Sequence, residues 1–86
     1  MNVRITSTHD GERTILDVAG RLQSVDISEL NKEIDLADGT LVLNLSELMS
    51  ADESGIERLR ELAVGGAEFR GASPYLQMLM YPSNDT

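Results

Sequence analysis

Residues 41–55, LVLNLSELMSADESG, gather the side chains of this chain best placed to do chemistry. An apolar run gives way there to Asp52, Glu53, Ser54 and Gly55. Beyond them Ile56, Leu59, Leu62 and Ala63 recur at helical spacing, with Glu57, Arg58, Arg60 and Glu61 on the other side. The four short or charged residues therefore fall on the N-terminal tip of a helix. A tip of this kind carries free backbone N–H groups and the positive end of the helix dipole, which makes it a seat for a regulatory charge. Gly55 sharpens the point, because a glycine in a first helical turn costs up to about 1 kcal/mol against alanine. Close approach of a partner and the geometry of a strand-to-helix bend are both open as its reason.

Other chemistries fit the sequence less well. Ser54, His9 and an aspartate name the members of a nucleophilic triad, but no Gly-x-Ser-x-Gly elbow is present and catalysis is not expected. Asp17, Asp26, Asp35 and Asp38 match no calcium-loop spacing, so no metal site and no cofactor are expected. Gly65, Gly66 and Gly71 lack the lysine and spacing of a phosphate-binding loop. The chain has no cysteine, hence neither a disulfide framework nor a thiolate metal site. A formal charge of −8 with scattered Lys and Arg repels nucleic acid and anionic membrane. No apolar run is long enough to span a bilayer, and the first residues lack the apolar centre of a signal peptide, so a cytoplasmic location is expected.

The elements that must position the tip can be read in order. Residues 2–8 alternate as a strand, Asp10-Gly11 signals a two-residue hairpin, and residues 14–18 return as a second strand that Gly20 is expected to end. Ser24 and Val25 lead into a first helix, with Asp26 as its expected cap and Glu29 in the reciprocal position of a capping box. Ile27, Leu30 and Ile34 form its inner stripe, and Asp38-Gly39 its end. Residues 41–45 read as a central strand covered on both faces. After the second helix Gly65-Gly66 stops the chain, residues 67–70 form a short strand, and Ser73-Pro74 opens a last helix. Leu76, Leu79 and Met80 turn inward there; Met78 and Met80 with Tyr75 and Tyr81 form a soft group for which core packing is the leading expectation and contact with a partner the alternative. Tyr81-Pro82 ends that helix. The expectation is one α/β domain over residues 1–82, a mixed sheet with helices in the order β-β-α-β-α-β-α, followed by a frayed tail at 83–86.

Residues 16–22 (LDVAGRL), Leu30, residues 41–46 (LVLNLS), residues 52–56 (DESGI), residues 66–68 (GAE) and Ser73-Pro74 together resemble a STAS domain, the fold of bacterial anti-sigma factor antagonists. The resemblance runs from about Val3 to Met80. It implies a binding module whose partner is an anti-sigma factor that is also a serine kinase. In typical members the segment matching residues 52–55 reads Asp-Ser-Ser/Thr-Gly, the kinase modifies the serine after the aspartate, and the modified form no longer binds. Here that position is Glu53. The resemblance also places Ser24 and Val25 near a loop that contacts partners, and makes this chain short at its C-terminal end, which leaves self-association open. Three readings of Glu53 follow: a fixed imitation of the phosphorylated state; a structural acid in a capping box begun by Ser50; or a switch displaced onto Ser54. The alternative function is a STAS subunit of a membrane transport complex that binds its ATPase.

Overall fold

The alternating N-terminal run becomes β1 (Val3–Asp10), joined by a tight turn to β2 (Arg13–Leu22), its antiparallel partner from Val3 opposite Gly20 to Asp10 opposite Arg13. In the computed structural model, which describes residues 3–37 and 39–80, the chain then forms a 3-10 turn (Ser24–Asp26), α1 (Ile27–Leu36), β3 (Thr40–Asn44), β4 (Leu48–Ala51), α2 (Glu53–Val64), β5 (Glu68–Arg70) and α3 (Pro74–Met80). Asn2 of the expected first strand, Asp38 of the first helix end, the stop at Tyr81-Pro82 and the tail at 83–86 lie outside the described residues. The hairpin turn sits one residue later than Asp10-Gly11 implies. Its central residues are Gly11 and Glu12, with Gly11 at φ 65°, the glycine-first pattern of a type II′ turn.

The sheet is mixed. It runs β1-β2-β3-β5, with β4 also on β2, and every pairing except β1 with β2 is parallel. The expected order of elements holds, with β4 interposed as a short strand. Gly20 does not end β2. At φ 91° it sits where the register shifts between Gly20 and Arg21, and its N–H donates to Glu47 O at 3.0 Å. This bulge lets β2 leave β3 and continue alongside β4.

One face of β2 buries Thr14, Leu16 and Val18, while Ile15, Asp17 and Ala19 on the other are half-buried. Leu16, Val18 and Leu22 join Leu43, Leu45 and Leu48 in a core closed by Leu30 of α1, Ile56, Leu59 and Leu62 of α2, and Leu76 and Met80 of α3. Each fully buried leucine contributes roughly 1.5–3 kcal/mol of apolar transfer. Val42 is equally buried but outside this cluster, on the opposite face between Ile15 and Glu68. The ends of the helices follow the sequence. Ala67 N–H to Leu62 O and Gly66 N–H to Ala63 O close α2 with Gly66 at φ 102°. At α3, Ser73 Oγ accepts from Leu76 N–H at 3.2 Å.

Candidate functional site

β4 delivers the chain directly into α2, so the residue between them is the helix cap. That residue is Asp52, in extended conformation (φ −80°, ψ −176°). Its Oδ1 accepts from Gly55 N–H at 2.9 Å, and its Oδ2 accepts from Ser24 N–H at 2.9 Å. These charge-assisted bonds hold the Asp52 carboxyl below its ordinary range, with Gly55 N–H the larger cause, then Ser24 N–H. The expected capping box of Ser50 and Glu53 is therefore absent. Ser50 lies in β4, and Glu53 is the first residue of α2, exposed to solvent with Ser54 beside it.

The first helix corrects its own expected cap in the same way. A 3-10 turn precedes α1, and the Asp26 side chain makes no cap bond to α1. It folds back instead, accepting from Gln23 N–H at 3.0 Å, and is only 7% exposed. Glu29 lies in the first turn of α1 without completing the expected box.

Two parts of the candidate surface that are 28 residues apart thus meet through one side chain. Asp52 ties the Ser24 backbone to the start of α2. Val25 follows Ser24 on the turn and is 79% exposed. Beside them a groove of about 270 Å³ runs between the two helices, lined by Ser24, Ile27, Ser54, Glu57, Arg58 and Glu61. Arg58 braces it: Nε donates to Asn31 Oδ1 of α1 at 2.9 Å, and Nη1 lies 3.0 Å from Glu61 Oε1.

Gly55 is buried, and its reason lies inside the domain. A Cβ there would meet Leu22 O at 2.8 Å and Ala51 Cβ and Leu22 Cγ at 3.2 Å. The helix start approaches the end of β2 closely enough that only glycine fits without displacement. The bend between β4 and α2 accounts for the residue.

The remaining candidate groups are engaged elsewhere. His9 Nδ1 lies 3.3 Å from Thr14 Oγ1 on the β1–β2 hairpin, and Asp52 is bonded to backbone amides, so Ser54 has neither as a base. Asp17 Oδ1 accepts from Asn44 Nδ2 at 2.7 Å. Among the described residues no group of three or more His, Asp or Glu side chains is arranged to hold a metal ion, and no helix is long and apolar enough to cross a membrane. Sequence reasoning missed the Asp52–Ser24 bond, since nothing local in either segment marks a partner so distant in the chain. Met80 packs in the core, whereas Tyr75 and Met78 face outward.

No family model matches the chain, and no curated protein matches it in sequence. Among solved structures it is similar to the crystal structure of an antisigma-factor antagonist, a STAS domain from Rhodobacter sphaeroides, with a TM-score of 0.60 and 26% identity over 85% of this chain and 94% of that one. The mixed sheet and the helices that cross between its parallel strands thus match the architecture of that domain, and this chain has a STAS-like α/β fold.

Proposed function

We propose that this chain is a regulatory protein-binding domain of the anti-sigma factor antagonist type, working in the cytoplasm on an anti-sigma factor kinase without making or breaking a covalent bond itself. Its docking surface is the tip of α2 (Asp52, Glu53, Ser54) with the Ser24–Val25 turn. The observation that carries this reading is the Asp52 carboxylate, which accepts from both Ser24 N–H and Gly55 N–H and so makes the turn and the helix start one surface. Gly55 lies buried beneath this surface and seats α2 against Leu22.

Glu53 stands where the resemblance expects a phosphoacceptor. With Asp52 as the cap, Glu53 has no backbone bond to return, and its carboxylate projects from the first turn into solvent. It is a fixed negative charge, against the −1.5 to −2 or so of a phosphoserine. This favours the reading in which Glu53 holds the domain permanently in the state that relatives reach by phosphorylation.

The test is capture of anti-sigma factor kinases from the same genome by native bait and by Glu53→Ser and Glu53→Ala baits. Both replacements should raise retention of a kinase at least fivefold, and incubation with that kinase and ATP should reverse the gain for Glu53→Ser alone. Equal retention by all three baits would contradict the fixed-charge reading. Phosphate found on Ser54 of the native chain would move the switch to the neighbouring residue, and capture of a transport ATPase in place of a kinase would replace the partner class.

A further inference from the structure

The strands at the two ends of the β1-β2-β3-β5 order differ greatly in length. β5 has 3 residues, and β1 has 8. Among the described residues β1 pairs with β2 alone, so its other edge is an open row of N–H and C=O groups. Proteins usually protect such an edge by keeping it short, by proline or by an inward charge. Residues 3–10, VRITSTHD, have no proline, and β1 lacks the shortness that protects β5.

The backbone parity of this edge can be assigned. Gly20 N–H donates to Glu47 O, so even-numbered residues of β2 turn their polar groups toward β3 and β4. By alternation the odd residues Arg13, Ile15, Asp17 and Ala19 bond to Asp10, Thr8, Thr6 and Arg4. Val3, Ile5, Ser7 and His9 then present their N–H and C=O groups outward.

We propose that a second copy of this chain adds to this edge, β1 against β1 in antiparallel fashion about a two-fold axis at Ser7. In that register Ser7 faces Ser7 and Ile5 faces His9, both as hydrogen-bonded pairs made by the outward-pointing residues. The non-bonded pairs set Thr6 against Thr8 and Arg4 against Asp10, each twice by symmetry. These four side chains share the open face of the sheet and are exposed. Opposite charges and threonine pairs directly across a ladder are the favourable combinations, and like charges there are unfavourable. The present partner of Asp10 is a loose one, Arg13 at 3.9 Å with both side chains well exposed. Centring on Thr6 instead would set Arg4 against Thr8 and forfeit both charge pairs. The ladder extends past a groove lined by Val3, Ile5, Val25, Asp26, Ser28 and Glu29, in which Val3 is buried, Ile5 half-buried and Val25 exposed. An interface built on one ladder is small beside the roughly 1,200–2,000 Å² of a stable complex. The pair should therefore dissociate on dilution through about 0.1 mM.

Sedimentation equilibrium and disulfide trapping test this together. The native chain should be dimeric near 1 mM and monomeric near 10 µM, concentrations bracketing that midpoint. Ser7→Pro removes an outward N–H and no β1–β2 bond, so it should abolish the dimer while the circular dichroism spectrum stays native. Arg4→Asp and Asp10→Arg should each weaken association at least tenfold, and the double variant should return to within threefold of native. The chain has no cysteine of its own, so an equimolar mixture of Thr6→Cys and Thr8→Cys proteins should yield the mixed disulfide dimer at least fivefold over either homodimer. A native chain monomeric at 1 mM, a double variant that fails to recover, or homodimers equal to the mixed species would overturn the proposal. Loss of fold in Ser7→Pro leaves the decision to the charge exchange and the cysteine pair.

Discussion

α1 and α2 both begin with an acid at the end of a strand or turn, and they use it in different ways. At α1, Asp26 is buried to 7% exposure and its carboxylate turns back onto Gln23 N–H. At α2, Asp52 is exposed and spans two elements, reaching Ser24 N–H and Gly55 N–H. The first start closes on itself. The second is followed by one more acid, Glu53, whose charge the backbone does not use. The comparison teaches that neighbouring carboxylates at a helix start have separate roles, fixed by which amide groups lie within reach, and that a charge left over at such a place is available to a partner.

The largest effect expected from breaking this comparison comes from the glycine that seats α2. Gly55→Val drives side-chain atoms into Leu22 O and Ala51, and should cost about 2–3 kcal/mol in urea unfolding. Asp26→Ala, at the closed start, leaves the part-buried Gln23 N–H without its acceptor, and should cost about 1–2 kcal/mol by the same measurement.

Asp52→Asn should lower the melting temperature at pH 7 by about 3–5 °C, since a charged cap becomes a neutral one. It should also raise hydrogen exchange at the Ser24 amide, a change that Asp26→Ala would not produce through the same bond. The pH dependence has a definite sign. Asp52 is held below its ordinary value, so its stabilisation is complete above about pH 4 and is lost as the pH falls through the lowered folded-state value. Thermal melts between pH 6 and 2 should therefore show a smaller acid-side decline in Asp52→Asn than in the native chain. The smallest effect is expected at Glu53, where Glu53→Gln should change stability by less than about 0.5 kcal/mol, because only a surface charge near the dipole is removed.

Much of this architecture is legible in the residues, for reasons that also mark where legibility stops. Leu30, Leu59, Leu62, Leu76 and Met80 fall on helical stripes and are buried, because periodicity reports the core directly. Ser73-Pro74 and Gly65-Gly66 act within a few residues of themselves, and both mark helix ends as expected. Gly20 reads locally as a break but serves as a bulge, since the strand that pairs beyond it comes from much later in the chain. β4 carries a weak pattern, with Leu48 buried and Met49 exposed over only four residues. Missing it moved the expected cap of α2 from Asp52 back to Ser50. The position of Glu53 on the tip was readable; that Asp52 rather than Glu53 makes the backbone bonds depended on where β4 ends.

The most direct test of the account is the affinity of a captured anti-sigma factor kinase for the native chain and for Glu53→Gln, measured by calorimetry beside the melting temperature of each. The carboxylate-to-amide change keeps shape and removes only charge. The account predicts at least a fivefold tighter complex for Glu53→Gln with melting temperatures within about 2 °C of each other. Equal affinities with a clearly lowered melting temperature would assign Glu53 to the fold and contradict its role as a standing signal.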